Sequence, residues 1–342
     1  GSTANRMMQP LLKEMPAIAA ALADESKLPI NLSEARVAEA LALAHREYCG
    51  QRDGARRGGG DGTDVSSSSA VVLMVVQPTE TNVVDQRGIE HALWRDHQVP
   101  LIRMSLKQIL SAASLKGDKR ILLIDETEIS VIYFRAGYTP RDFPSEDEWQ
   151  ARTLLERSMA VKCPSVTQHL AGTKKVQQVL ADPNELSRFV NDEQAAMLRS
   201  CFAGLYGLDE DGGKDVEDAV NMARANPSKF VLKPQREGGG NNLFGDELCA
   251  ALESMSAAER ASYILMERIW PSSAMLPLMR GGELDGGACT CELGIYGVFL
   301  GDGRRVLLNS QAGHLLRAKL EGVDEGGVCA GFAVLSSPVL FP

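Results

Sequence analysis

Residues 230–244, Phe-Val-Leu-Lys-Pro-Gln-Arg-Glu-Gly-Gly-Gly-Asn-Asn-Leu-Phe, place two cations, a carboxylate and three side-chain amides around three consecutive glycines. Phe230–Leu232 reads as a short buried strand with the Lys233 ammonium at its end. Gly238, Gly239 and Gly240 remove side chains from the turn, so backbone N–H groups can approach an anion closely, as in a phosphate nest. Glu237 and Asn242 offer the oxygen donors that hold Mg²⁺ against nucleotide phosphates. The spacing fits neither the P-loop nor the dinucleotide fingerprint. A solvated glycine hairpin would give the clustered Lys233, Gln235, Arg236, Glu237, Asn241 and Asn242 no purpose, so the loop reads as a nucleotide site.

Such a loop needs a scaffold, and the chain supplies elements on both sides of it. Residues 1–49 read as helical, with an apolar stripe of period 3.6 over Glu34–Ala44. Residues 50–69 are rich in Gly, Arg, Asp and Ser and read as a linker. From residue 70 the expectation is strand Ala70–Val76, a helix around Gln86–Asp96, strand Pro100–Met104, helix Leu106–Ala113, strand Arg120–Asp125 and strand Ile129–Phe134. That order suggests a parallel α/β unit. Helices are expected near Glu146–Ala160, Lys174–Ala181, Glu193–Phe202 and Val216–Ala223. Beyond Phe230 the pattern turns strand-rich, over Ser262–Glu267, Thr290–Leu300, Arg305–Asn309 and Val328–Leu335. Three pieces result: residues 1–69, a helical remnant and linker; 70–170, a substrate-binding α/β domain; and 171–342, a nucleotide-binding domain.

With 342 residues the chain exceeds what one core usually serves. A formal net charge of −9 argues against nucleic acid or an anionic membrane as a main partner. No apolar run approaches a membrane span and no signal-peptide pattern is present, so a cytosolic location is expected. The seven cysteines are odd in number and form no C-x-x-C pair, so they read as reduced thiols. Cys289 and Cys291 alternate on an expected strand and should be buried together on one face.

From about Val71 onward, eight further blocks stand in order: NVVDQR (82–87), YFRAGY (133–138), LLERSMAVKCP (154–164), LAGTKKVQQ (170–178), ERASYILME (259–267), CELGIYG (291–297), GHLLRAK (313–319) and GGVCAG (326–331). With the glycine loop, they make the chain resemble the eukaryotic-type glutathione synthetases. The resemblance implies an ATP-grasp fold with an antiparallel sheet, plus a parallel α/β substrate-binding domain. It also implies ATP-dependent joining of γ-glutamylcysteine and glycine through an acyl phosphate, with Mg²⁺. Such chemistry rests on positioning and charge neutralisation, and needs neither a histidine base nor a cysteine nucleophile. The five histidines are accordingly dispersed, and His314 reads as a structural donor.

The same resemblance assigns roles. Lys174 and Lys233 would meet ATP phosphates. Gln235, Arg236, Gly238, Gly239, Gly240, Asn241 and Asn242 would cover them, and Glu237 would bind Mg²⁺. Adenine would lie against Met266, Glu267, Arg268 and Ile269; Glu292 would face the ribose; Phe244, Lys319 and Glu325 would complete the ATP site. Phe244 stands where the family usually carries tyrosine, so a hydroxyl is lost. Glu80, Asn82, Gln86, Arg135 and Tyr138 would hold the dipeptide, with Ala136 in place of a common aspartate. Arg317 and Lys319 would act on the reacting carboxylates, and Arg317, Val328 and Cys329 would orient glycine.

In that family a long N-terminal portion precedes the matched region, and it brings Mg²⁺ ligands and a serine-containing loop. Residues 1–69, which open Gly1-Ser2-Thr3, do not read as that portion, so an N-terminally incomplete chain is expected. A homodimer is the expected state of the complete protein. Two other readings remain open at this stage: a ligase for another acceptor, β-alanine or serine, decided near Cys329 and Ala330, and a non-catalytic ATP-binding module.

Overall fold

Val71–Val75 are five apolar residues, all buried, and form β1. A strand that is apolar on both faces belongs inside a sheet with both faces covered. A computed structural model, which describes residues 27–52, 69–80, 82–235, 241–323, 327–328 and 331–340, places it so. With β2 (Leu101–Met104), β3 (Ala113–Lys116), β4 (Ile121–Ile124), β5 (Thr127–Phe134) and β6 (Val161–Cys163) it makes one sheet, ordered β2-β1-β5-β4-β3, and β6 also pairs with β5.

Because side chains alternate along a strand, β1 serves two cores. Val71, Leu73 and Val75 pack with Leu106, Ile109, Ala151 and Leu155 of helices Leu106–Ala112 and Glu146–Arg157. Val72 instead meets Ala38, Leu41 and Ala42 of helix Ser33–Arg52, and Ala92 and Leu93 of helix Val83–His97. The purely parallel unit expected from the element order is corrected here. β1, β2, β5 and β6 pair in parallel, but β3–β4 and β4–β5 are antiparallel. The cause lies between Ile124 and Thr127, where Asp125 and Glu126 both take positive φ, 43° and 70°. Two such residues form the tight turn that sends a strand straight back beside its neighbour.

A buried polar relay fastens helix Ser33–Arg52 to this sheet. The Ser130 hydroxyl donates to the Val71 carbonyl at 3.0 Å, so its oxygen accepts from His45 Nδ1 at 2.8 Å. That leaves His45 Nε2 unprotonated, 3.7 Å from the Cys49 thiol. The His45 pKa lies below the ordinary histidine value, chiefly because burial disfavours the imidazolium and then because Arg46 and Arg52 repel it. The unfolded chain therefore takes up a proton that the folded chain refuses. The contribution is fully present above about pH 6.5, the ordinary histidine value, and is lost as the pH falls toward the lower folded-state pKa. We expect the urea midpoint to fall between about pH 6.5 and 5, and to fall less in His45→Gln. Equal slopes in the two proteins would clear His45 of that role.

The second compact unit comprises residues 166–274 and 323–332. Its sheet is antiparallel: β7 (Leu205–Gly207), β10 (Tyr263–Glu267), β8 (Phe230–Pro234) and β9 (Leu243–Phe244), in that spatial order. Phe230, Leu232 and Leu265 pack on Ala219, Ala223, Leu248 and Leu252 of helices Gly213–Ala225 and Gly245–Ser254. Alternation turns Val231, Lys233, Ile264 and Met266 to the opposite face.

The remaining strands, β11 (Ser273–Arg280), β12 (Glu283–Gly301), β13 (Val306–Leu320) and β14 (Val334–Ser336), form a third sheet in that order. Residues 275–322 and 333–342 group with residues 1–165 as the first unit. This differs from the expected division, which assigned the whole of 171–342 to one nucleotide-binding domain. The reason lies in long-range contacts near the N-terminal helix. Asn31 Nδ2 donates to the His314 carbonyl at 2.7 Å, and the His314 N–H donates to Asn31 Oδ1 at 3.3 Å. GHLLRAK is thus strand, and the buried His314 is held by its backbone. Val328 lies in a turn before β14 rather than in an expected strand Val328–Leu335. The cysteine pair also needs correction: Cys289 is buried against Leu278 and Ala318, but Cys291 is exposed.

Candidate active site

In the second unit the face turned from the helices gathers four of the expected nucleotide residues. Lys233 pairs with Ile264 and Val231 with both Met266 and Phe244, so Lys233, Met266 and Phe244 share that face. Arg268 follows Met266 by two positions, and its Cζ stands 5.2 Å from the Phe244 ring centroid. Lys233 and Arg268 mark the two ends of the face, four residue steps apart along paired strands, or about 13 Å at about 3.3 Å per residue.

Gln235, the last described residue before the glycine loop, is anchored: its Oε1 accepts from the Lys175 N–H at 3.0 Å. Lys175 Nζ reaches both carboxylate oxygens of Asp209, at 2.6 and 2.7 Å. Lys174, the expected phosphate ligand, is the first residue of helix Lys174–Leu180.

The Glu267 side chain is used structurally. Tyr206 Oη donates to one carboxylate oxygen at 3.2 Å and the Gly204 N–H to the other at 3.1 Å. A Cβ on residue 204 would lie 2.6 Å from Glu267 Cδ, so a larger residue there would displace the Glu267 carboxylate. Burial pushes the Tyr206 phenol pKa up and the Glu267 carboxylate adds to it, which keeps the donor protonated. The backbone N–H groups of Glu267 and Arg268 donate to the Gly204 and Lys229 carbonyls. Ile269, next along, is exposed. Asn241 and Asn242 directly precede β9. Arg236, Glu237, Gly238, Gly239, Gly240, Glu325 and Cys329, with Ala330, lie outside the described residues. Val328 accepts from the Gly331 N–H at 3.0 Å. Among the described residues no three His, Cys, Asp or Glu side chains are grouped closely enough to hold a metal ion.

In the first unit a second set gathers where β1 and β5 end. Glu80 accepts from the Asn82 N–H at 2.9 Å and Asn82 Nδ2 donates to Asp85 at 2.8 Å, just before and within the first turn of helix Val83–His97. Gln86 is 2% exposed; its Oε1 accepts from Arg103 at 3.0 Å, while its Nε2 is buried with no hydrogen-bond partner among the described residues. Arg135 continues β5 and its backbone N–H donates to the Val75 carbonyl at 3.0 Å. Its guanidinium lies within electrostatic reach of Asp85, Tyr133 and Tyr296. The Tyr133 phenol is pushed up to about 12, by burial first and then by Cys163, with Arg135 opposing.

Tyr296 links this cluster to β12–β13, because Arg317 also reaches it. Glu292 and Arg317 are direct cross-strand partners and form an ion pair. Lys319, two residues on, shares the Arg317 face. Tyr138 is exposed; its N–H donates to Asp142, which also accepts from Thr139 and Gln77. Ala136 is buried and lines a cavity of about 210 Å³ with Val76, Leu106 and Gly137.

Each set suits anions. One offers a lysine and an arginine on a sheet face; the other offers Arg135, Arg317 and a buried unpaired amide. The family model for the ATP-binding domain of eukaryotic glutathione synthase matches residues 1–340. The chain belongs to that family. It is 43% identical to the glutathione synthetase of Dictyostelium discoideum over 91% of this chain and 63% of that protein. With the Homo sapiens glutathione synthetase it shares 47% identity over 80% of this chain and 57% of that protein. A glutathione synthetase-like effector from Globodera pallida, solved without ligand, has the same fold at a TM-score of 0.67. Its identity is 21%, over 92% of this chain and 63% of that one. The chain thus spans about three fifths of the length of the relatives it matches.

Within the glutathione synthase family frame, two residues stand out that sequence reasoning passed over. Asp85, inside NVVDQR, sits between Asn82 and Arg135; its place beside a carboxamide and a buried glutamine was the available signal. Trp270, directly after the segment expected to meet adenine, has its ring centroid 4.6 Å from Arg268 Cζ. The family reading also gives the Phe244 departure its setting: without a hydroxyl, the ring contributes a face to Arg268.

Proposed function

We propose that this chain carries the ATP-binding part of a glutathione synthetase, which joins γ-glutamylcysteine to glycine at the expense of ATP. The observation that carries the reading is the shared sheet face of Lys233, Met266, Phe244 and Arg268 beside the glycine loop. Lys233 and Lys174 address the phosphates, and Met266 lies beneath the base. The Glu267 carbonyl and the Ile269 N–H serve the adenine edge, since the N–H groups of Glu267 and Arg268 are already bonded. Arg135, with Asp85, Asn82 and Gln86, holds the dipeptide; the free Gln86 Nε2 is a donor for a substrate oxygen.

The cysteinyl carboxylate of γ-glutamylcysteine attacks the terminal phosphorus of ATP, ADP leaves, and an acyl phosphate forms. The glycine amine then attacks the acyl carbon and expels phosphate. Arg317 and Lys319 neutralise the charge that builds on these oxygens, and the Glu292 ion pair fixes the arginine. Mg²⁺, held by Glu237, would lower the charge of the phosphates; the described donors do not complete such a site by themselves. Glycine specificity falls to Arg317, Val328 and Cys329.

Six cysteines among the described residues are free, which suits a reducing compartment, and no helix among those residues is long and apolar enough to cross a membrane. We place the protein in the cytosol, as a homodimer when complete. The nucleotide reading is tested by melting. Mg²⁺-ATP at a hundredfold over its Kd is expected to add about 2.7 kcal/mol of stability. Lys233→Ala should erase most of that gain, and an undiminished gain would remove Lys233 from the site.

A further inference from the structure

Arg103 lies on β2, at one edge of the first unit's sheet, and reaches two residues one turn apart on helix Val83–His97. Its Nη1 donates to Gln86 Oε1 at 3.0 Å, and its Nε stands 3.4 Å from Glu90 Oε2. Glu90 is held in turn by Arg87, whose Nη1 donates to both carboxylate oxygens at 2.8 and 2.9 Å. A guanidinium offers donors and no acceptor. Gln86 can therefore meet it only through its carbonyl, and its NH₂ group must face elsewhere. That NH₂ is buried and has no hydrogen-bond partner among the described residues. A buried donor left unbonded costs free energy until an acceptor arrives. The strand register puts the arrangement on the dipeptide side. Arg103 pairs with Met74 and Met74 with Tyr133, so the three share a sheet face, and Arg135 follows Tyr133 by two positions. Val72, two positions before Met74, packs under the helix that carries Gln86.

We propose that Arg103 is a positioning residue that fixes the Gln86 amide as a pure donor, aimed at an oxygen of the bound dipeptide. The inference rests on the dipeptide reading above and deepens it with a residue outside the assigned set and a fixed polarity for Gln86. A free carboxamide can turn over and offer a ligand either its oxygen or its NH₂. γ-Glutamylcysteine carries an ammonium as well as oxygens, so an unheld Gln86 would suit either group. Arg103 removes that choice, because the reversed amide would set NH₂ against guanidinium with no acceptor between them.

Calorimetric titration of γ-glutamylcysteine into the full chain reads the effect. Gln86→Ala and Arg103→Met are each expected to raise the dipeptide Kd about tenfold, or about 1.4 kcal/mol. Arg103→Lys keeps a donor at the Gln86 oxygen and should recover most of the loss. In the Gln86→Ala background Arg103→Met should weaken binding little further, because both changes remove the same contact. A scaffold role would lower stability without that coupling, so two additive losses in affinity would overturn the inference. Gln86→Glu gives a second test that does not depend on the folding of Arg103→Met. Its carboxylate pairs with Arg103 but has no NH₂, so it should bind the dipeptide at least as weakly as Gln86→Ala; undiminished affinity overturns the donor role. The analogue of γ-glutamylcysteine that lacks the ammonium should show the same penalties, and their disappearance would mean that the amide serves the ammonium through its oxygen. Loss in Gln86→Ala with none in Arg103→Met overturns the role of Arg103 and leaves the dipeptide site standing. Unchanged affinity in Gln86→Ala removes Gln86 from that site, and the inference falls with it.

Discussion

Gly313→Ala is expected to destabilise the first unit by roughly 2–6 kcal/mol, combining overpacking of about 1–3 and backbone strain of about 1–3 kcal/mol. Gly313 has φ +124°, a conformation that L side chains rarely adopt. An added Cβ would lie 2.5 Å from Ser33 Cβ, 2.7 Å from Asn31 Oδ1 and 2.8 Å from Ser33 Cα. These are backbone and short side-chain atoms, with no flexible tip to swing aside. The same Asn31 oxygen accepts from the His314 N–H, so the collision also breaks the bond that fastens β13. Gly322→Ala is the control: its φ is +86° and nothing lies within 4 Å of its added Cβ. It should show the strain alone. Urea midpoints at constant slope give both values, and equal losses would mean that contact with Asn31 and Ser33 contributes nothing.

Arg135→Ala is expected to weaken γ-glutamylcysteine binding by roughly 2–4 kcal/mol, the scale of losing a desolvated charge-assisted pair. The Mg²⁺-ATP melting shift should hardly move, because Arg135 belongs to the cluster at the end of β5 with Asp85, Tyr133 and Tyr296. Arg135→Lys keeps the charge and loses the planar fork, so an intermediate loss is expected. Calorimetric titration of the dipeptide beside the melting assay measures the two. If ATP and dipeptide suffer alike, the arginine holds the scaffold rather than the substrate.

Much of this was legible in the residues. Val71–Val75 announces a central strand by being apolar on both faces, and the apolar run Phe230–Leu232 announces the strand that carries Lys233. The family blocks added the order of the remaining site segments. Other features carried weak local signals. Ala113–Lys116 continues a helical stretch in composition, and only its pairing with β4 makes it strand. The Asp125–Glu126 turn lacks the glycine that usually marks a two-residue hairpin, so the antiparallel return was invisible. β12 contains Gly286, Gly287, Gly294 and Gly297, which depress strand propensity, and its length comes from the partner strand β13. Cys291 is exposed although it alternates with buried Cys289, because cover at that end of the ribbon depends on tertiary packing. Trp270 had no periodic partner in sequence; its partner is Arg268, two residues away at a strand end.

The bonds between Asn31 and His314 join residues 283 positions apart. A ribosome adding about 5–20 residues per second needs roughly 15–60 s to cover that distance. Through this interval helix Ser33–Arg52 has been made but its partners on β12 and β13 have not. Residues 166–274 form a contiguous run within the second unit, and they emerge complete before β12 and β13 exist. Birth order on the ribosome therefore favours an inserted unit that folds early, and a host unit that must keep its first helix soluble until the distal ribbon arrives.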